Sequence, residues 1–189
     1  MLFEKEINGK KVTLFTLENS NGVKVTLTNY GGKIVNTWVP DRNGKMVDIS
    51  LGFNTIDEYL KGSKSFGATV GRYANRIAKA TFTLDSVTYH LPVNNGPNCL
   101  HGGPDGFYSK VFDAKLVETP EGKGVEMHYV SPDGENGFPG TLDFPAHERI
   151  LQRDLRHDDQ SAARQLRLER RDDRCVHLQP GGNKRRPAL

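Results

Sequence analysis

A chain of 189 residues with 35% hydrophobic and 26% charged side chains is long enough for one domain with a sizeable core, or for part of a larger one. Its formal net charge of +3 is too small to imply a nucleic-acid partner by itself, and no apolar run approaches the roughly 18 residues of a membrane span. Met1-Leu2-Phe3-Glu4-Lys5-Glu6 lacks the basic and then apolar layout of a signal peptide, so a soluble cytoplasmic protein is the expectation.

Residues 4–53 read as strand and turn. The segment 11–17 is apolar and β-branched, Asn19-Ser20-Asn21-Gly22 supplies a turn, and 23–30 alternates again, which predicts a hairpin. Gly31-Gly32 breaks the run, 33–40 resumes it, and Asp41-Arg42-Asn43-Gly44 turns the chain into a further strand over 46–52. Thr55 can cap a short helix over 55–60, with Asp57 and Glu58 suited to its first turn. The small, apolar segment 66–71 predicts a strand closely approached by another backbone. Segment 81–89 predicts a hairpin, and 111–118 with 124–130 a second around Thr119-Pro120-Glu121-Gly122-Lys123. Many short strands at turn-punctuated intervals point to an all-β chain, an antiparallel sandwich or barrel.

Two polar motifs flank the short apolar run Tyr89-His90-Leu91-Pro92-Val93, at points where strands meet loops. The first is Asn75-Arg76-Ile77, within Gly71-Arg72-Tyr73-Ala74-Asn75-Arg76-Ile77-Ala78. The second is Leu100-His101-Gly102-Gly103, which ends Asn94-Asn95-Gly96-Pro97-Asn98-Cys99-Leu100-His101-Gly102-Gly103. Taken alone, His101 reads as a turn histidine bonded to a neighbouring carbonyl, Arg76 as a surface ion pair and Asn75 as a turn amide. Arg72 reads as structural, and His90 and His128 as strand histidines. Cys99 and Cys175 have no CxxC or Cys/His metal spacing and read as free thiols of a reducing compartment.

These motifs, with Ser131-Pro132-Asp133-Gly134-Glu135-Asn136-Gly137-Phe138-Pro139-Gly140 following, resemble the aldose 1-epimerase (galactose mutarotase) family. The resemblance covers roughly residues 19–144. It implies a large twisted antiparallel β-sandwich, here incomplete, since the family needs nearly twice this length. It also implies an aldose sugar such as galactose or glucose as partner, and a reaction that interconverts α and β anomers. In that reaction a base takes the anomeric proton, an acid protonates the ring oxygen, the ring opens and the aldehyde rotates; no metal or redox cofactor is required. By resemblance His101 positions or protonates the ring oxygen, with Gly102-Gly103 letting a sugar approach the backbone, while Asn75 and Arg76 bind the substrate. In Asp133, Glu135 and Asn136 a turn-forming role weighs at least as much as sugar contact. Phosphate binding is a poor fit, since no GxGxxG or P-loop context is present.

Past Phe144 the composition changes. Of 13 arginines, ten fall in the last 45 residues, and no aromatic residue except histidine occurs there. The alternation is read as ending, which divides the chain into a partial sandwich over 1–144 and an Arg-rich tail over 145–189. Three readings of the tail stay open: a solvated helix around 161–170, a basic arm ending in Lys184-Arg185-Arg186-Pro187, and a reading-frame change. Back-translation of 149–155 read one base later permits Val-Ser-Tyr-Ser-Val-Thr-Tyr, and 178–180 permits Phe-Asn-Leu, which echoes a family motif. The family's second histidine, sugar-binding aspartate and base glutamate have no matching motif here, and His147, His157 and His177 stand in none. Impaired epimerase activity is therefore the expectation. The alternative is a noncatalytic carbohydrate-binding or regulatory β-domain with a basic tail.

Overall fold

The computed structural model describes residues 3–62, 65–120 and 122–151. In chain order the strands are β1 (Lys5–Ile7), β2 (Lys10–Val12), β3 (Leu14–Glu18), β4 (Lys24–Thr28), β5 (Lys33–Pro40) and β6 (Met46–Asp48), followed by the helix α1 (Ile56–Lys61). Then come β7 (Arg76–Ile77), β8 (Thr81–Leu84), β9 (Val87–His90), β10 (Cys99–Leu100), β11 (Asp113–Thr119), β12 (Gly122–Ser131) and β13 (Leu142–Leu151). All the pairings are antiparallel. The expected all-β fold is present, and its hairpins stand where the turn residues put them.

Two sheets, ordered β3-β4-β5-β6 and β11-β12-β13, face each other. Alternate residues Leu17, Val25, Leu27 and Val39 of the first meet Val125, Met127 and Leu142 of the second, with Phe107 and Phe112 between them. This is the sandwich expected of period-two patterning when one face of each sheet must leave water. On the outer side of the first sheet, Ile56 and Tyr59 of α1 join Phe3, Val12, Tyr30 and Val35 in a second cluster. The helix starts as the sequence suggests. Thr55 Oγ1 accepts from Glu58 N–H at 3.2 Å, while Glu58 Oε2 accepts from Thr55 N–H at 2.9 Å.

Three expectations change. The strand expected over 11–17 is broken at Thr13, because the Asn29 side chain takes its N–H (Oδ1, 2.8 Å) and so removes it from a ladder. The segment 66–71 is a turn and irregular chain, not a strand. Its close approach is real nonetheless: Ile34 N–H donates to Gly67 O at 3.1 Å, and a Cβ on Gly67, at φ +63°, would strike the Ile34 carbonyl. Finally, the chain does not leave the sheet at Phe144, where the alternation is read as ending: β13 is paired to β12 from Leu142↔Ser131 to Leu151↔Gly122. The readings of 161–170 and 184–187, and Cys175, lie outside the described residues.

Among the buried polar side chains of the described residues, one is a lysine. Lys33 is wholly buried at the start of β5, its Nζ donating to the Tyr108 carbonyl and standing 4.3 Å from the Tyr30 ring centroid. Burial pulls its pKa down to about 7. Tyr108 in turn donates its hydroxyl to Gly103 O at 2.7 Å, so the core is joined to the loop that carries His101.

Candidate functional site

The long excursion between the two sheets holds the polar motifs. The short β7–β10 pair sets Leu100 opposite Arg76 and Cys99 opposite Ile77, which brings the next residues of each strand, Asn75 and His101, side by side. His101 N–H donates to Asn75 O at 2.9 Å, and Asn75 N–H donates to His101 Nδ1 at 3.1 Å. Both residues take left-handed backbone conformations, with φ of 62° for Asn75 and 54° for His101. A non-glycine residue in that region costs of order 1–2 kcal/mol, and two such residues in reciprocal contact mark a corner whose shape is maintained against local preference.

The hydrogen bond from Asn75 fixes the imidazole. Nδ1 accepts, so in the neutral ring the proton is on Nε2, and that N–H is the group His101 can offer outward. Beside it, Arg76 Nη1 donates to Asn75 Oδ1 at 3.1 Å and Arg76 Nε donates to Asn95 Oδ1 at 2.8 Å. Asn75 and Arg76 are exposed and His101 half-buried. All three residues singled out from the sequence therefore share one accessible corner, linked through Asn75.

Arg72 and Glu135 head a second, partly buried polar frame. Arg72 donates Nε to Ser131 Oγ at 2.8 Å and its Nη groups to the carbonyls of Ser131, Pro132, Pro139 and Gly140 at 2.6–3.1 Å, which bears out its structural reading. Glu135 accepts from Ser131 Oγ and from Tyr129 OH at 2.7 Å, and pairs with Lys110 at 2.9 Å. Burial alone would raise the Glu135 pKa, but these hydrogen bonds and Lys110 hold it below the ordinary value. Burial, and then donation to Glu135, pushes Tyr129 up to about 12. Asp133 accepts from Gly140 N–H, and Asn136 Nδ2 donates to Asp105 O at 2.8 Å. These side chains thus shape the Gly/Pro-rich loop and tie it to the segment 105–110. His128 Nε2 lies 2.6 Å from Asp143 on the outer side of the β12–β13 pair, and His90 Nδ1 lies 3.4 Å from Thr81 Oγ1.

Gly102 has a different use from the one read in the sequence. At φ +83° its Cβ position is occupied by the Gly71 carbonyl, with Arg72 N only 2.8 Å away. The glycine admits the protein's own backbone there. Asn95 was not singled out from the sequence. Its signal was the density of asparagine in Asn94-Asn95-Gly96-Pro97-Asn98, just ahead of His101. Among the described residues, no three His, Cys, Asp or Glu side chains gather as a metal ion would need, and no helix is long and apolar enough to cross a membrane.

The sequence model of the aldose 1-epimerase family matches residues 13–157. The chain belongs to that family. It is 46% identical to galactose mutarotase of Bos taurus over 123 residues, covering 65% of this chain and 35% of the relative. It is 34% identical to aldose 1-epimerase of Escherichia coli over 143 residues, covering 76% and 40%. The crystal structure of a GalM/aldose epimerase homologue from C. elegans superposes with a TM-score of 0.68 at 34% identity, covering 74% of this chain and 42% of that one. The epimerase relatives are thus matched over between 35% and 42% of their own length, and the family match runs beyond Phe144.

Proposed function

We propose that this corner binds an aldose such as galactose or glucose and contributes one side of a mutarotase site. Asn75 matches a sugar hydroxyl that both donates and accepts, and Arg76 offers its remaining N–H groups to others. His101 presents Nε2–H to the ring oxygen. The observation that carries the reading is the reciprocal pair of hydrogen bonds between Asn75 and His101, which aims one defined N–H out of a half-buried loop next to an amide and a guanidinium.

The same geometry restricts what the imidazole can do. Giving up the Nε2 proton outright would leave an imidazolate, and adding a second proton at Nδ1 would break the bond from Asn75. His101 is therefore a donor that polarises the ring oxygen, and the proton that oxygen gains on opening comes from another group. Such a donor is worth on the order of 100-fold in rate. The frame around Arg72 and Glu135 keeps the loop in place at no cost to the outward-facing groups.

Polarimetry on α-galactose tests this. The chain is expected to speed equilibration modestly, and His101→Ala to remove most of that acceleration, returning the rate toward the spontaneous one. Sugar binding with no acceleration, unchanged in His101→Ala, would favour the noncatalytic carbohydrate-binding reading instead.

A further inference from the structure

Three asparagines lie within five residues of the turn ahead of His101, and each spends its side chain on a different neighbour. Asn94 accepts Leu100 N–H at 2.6 Å and donates to Leu100 O at 2.9 Å, acting as a strand partner for the residue before His101. Asn98 Oδ1 accepts Lys79 N–H at 3.1 Å, which fixes the chain just after Arg76-Ile77. Asn95 Oδ1 accepts Arg76 Nε–H at 2.8 Å.

We propose that Asn95 is a positioning residue for sugar binding: it sets the plane of the Arg76 guanidinium before any ligand arrives. The proposal rests on the functional reading above. Two acceptors on separate segments, Asn95 Oδ1 and Asn75 Oδ1, hold Nε and one Nη1 proton. Of the five N–H donors of a guanidinium, the other three have no partner among the described residues. Asn95 is itself fixed by backbone and needs no ligand: its N–H donates to Asn98 O at 3.1 Å and its carbonyl accepts Asn98 N–H at 3.0 Å. Gly96 at the tip takes φ +55° with open space around it, so the turn closes without leaning on the site. A free arginine has many rotamers to lose when it clamps a hydroxyl, and pinning it beforehand removes most of that loss.

The experiment compares the parent chain with Asn95→Leu, which keeps the size but removes the acceptor, and Asn95→Asp, which keeps an acceptor. The first reading is the Arg76 Nε–H resonance in the sugar-free chain, assigned by its disappearance in Arg76→Lys. It is expected to be shifted and slow to exchange in the parent and in Asn95→Asp, and to be lost to fast exchange in Asn95→Leu. The second is galactose affinity by titration, expected to fall about 3- to 10-fold in Asn95→Leu and to stay near the parent value in Asn95→Asp. An Nε–H resonance unchanged in Asn95→Leu overturns the proposal, as does equal weakening in both variants, which would mean that Asn95 only shapes the turn. If the parent itself binds no galactose, the functional reading fails, and the sugar-free resonance still decides whether Asn95 sets the guanidinium.

Discussion

Gly102→Ala is expected to cost the fold about 2–5 kcal/mol. Two penalties add there. An L side chain at φ +83° takes on the left-handed strain of about 1–2 kcal/mol. The new methyl would also be driven into the Gly71 carbonyl and against Arg72 N, backbone atoms that cannot swing aside as a flexible side chain would; overpacking of this kind adds about 1–3 kcal/mol. The same turn region supplies its own control. Gly96 also has positive φ, but nothing lies within 4 Å of its Cβ position, so Gly96→Ala should cost only the backbone share of about 1 kcal/mol. Denaturant melts of the two variants beside the parent measure the difference. Equal losses would mean that the approach of Gly71 to Gly102 is not a tight one. Because Gly71 leads into Arg72 and on to Asn75, the alanine also separates the two strands that hold His101 against Asn75, and the sugar binding proposed for that corner should weaken with it.

The second large effect concerns Lys33. An amine buried with one carbonyl and a ring face for company resists protonation, and burial lowers its pKa from 10.5 to about 7. The unfolded chain binds the proton throughout that interval while the folded chain does not. Folding stability therefore rises with pH from about 7 to about 10.5, by on the order of 5 kcal/mol, and below pH 7 this group adds no further slope. Lys33→Met removes the titrating group and keeps the length of the side chain. It is expected to be more stable than the parent at pH 6–7 by a few kcal/mol, with the advantage shrinking as pH rises. Denaturant melts at pH 6, 8 and 9.5 decide it: parallel curves for the two proteins would show that Lys33 keeps an ordinary pKa. The gain has a cost elsewhere, since methionine cannot donate to the Tyr108 carbonyl, and Tyr108 holds Gly103.

How much could be read in advance depended on the range of the interaction. Turns made by residues next to each other were legible: Asn19 to Gly22, Asp41 to Gly44 and the Thr55–Glu58 capping pair all do what their chemistry suggests locally. The corner of Asn75, Arg76 and His101 was legible as a set of residue types and as a family motif. Its geometry was not, because the β7–β10 pair that makes it has only two residues in each strand, too short to leave a pattern. The break at Thr13 depends on a side chain sixteen positions away, and the role of Asn95 on an arginine nineteen positions back; neither partner can be chosen from sequence distance. Lys33 looked like one more strand lysine, since nothing in its neighbourhood announces that Tyr108 and Tyr30 will close over it. Past Phe144 the arginine content was read as the end of the alternation, and β13, whose Phe144 and Ala146 pack against the core, was missed on that account.

Cys99 is 1% exposed on β10, two residues before His101, and burial pushes its thiol pKa up. An alkylating reagent can reach that sulfur only while the neighbouring loop is lifted. With Cys175 replaced, the speed at which the Cys99 thiol is capped is thus a clock for the opening of the corner of Asn75 and His101, and if that corner takes a sugar as proposed, the bound sugar should slow it.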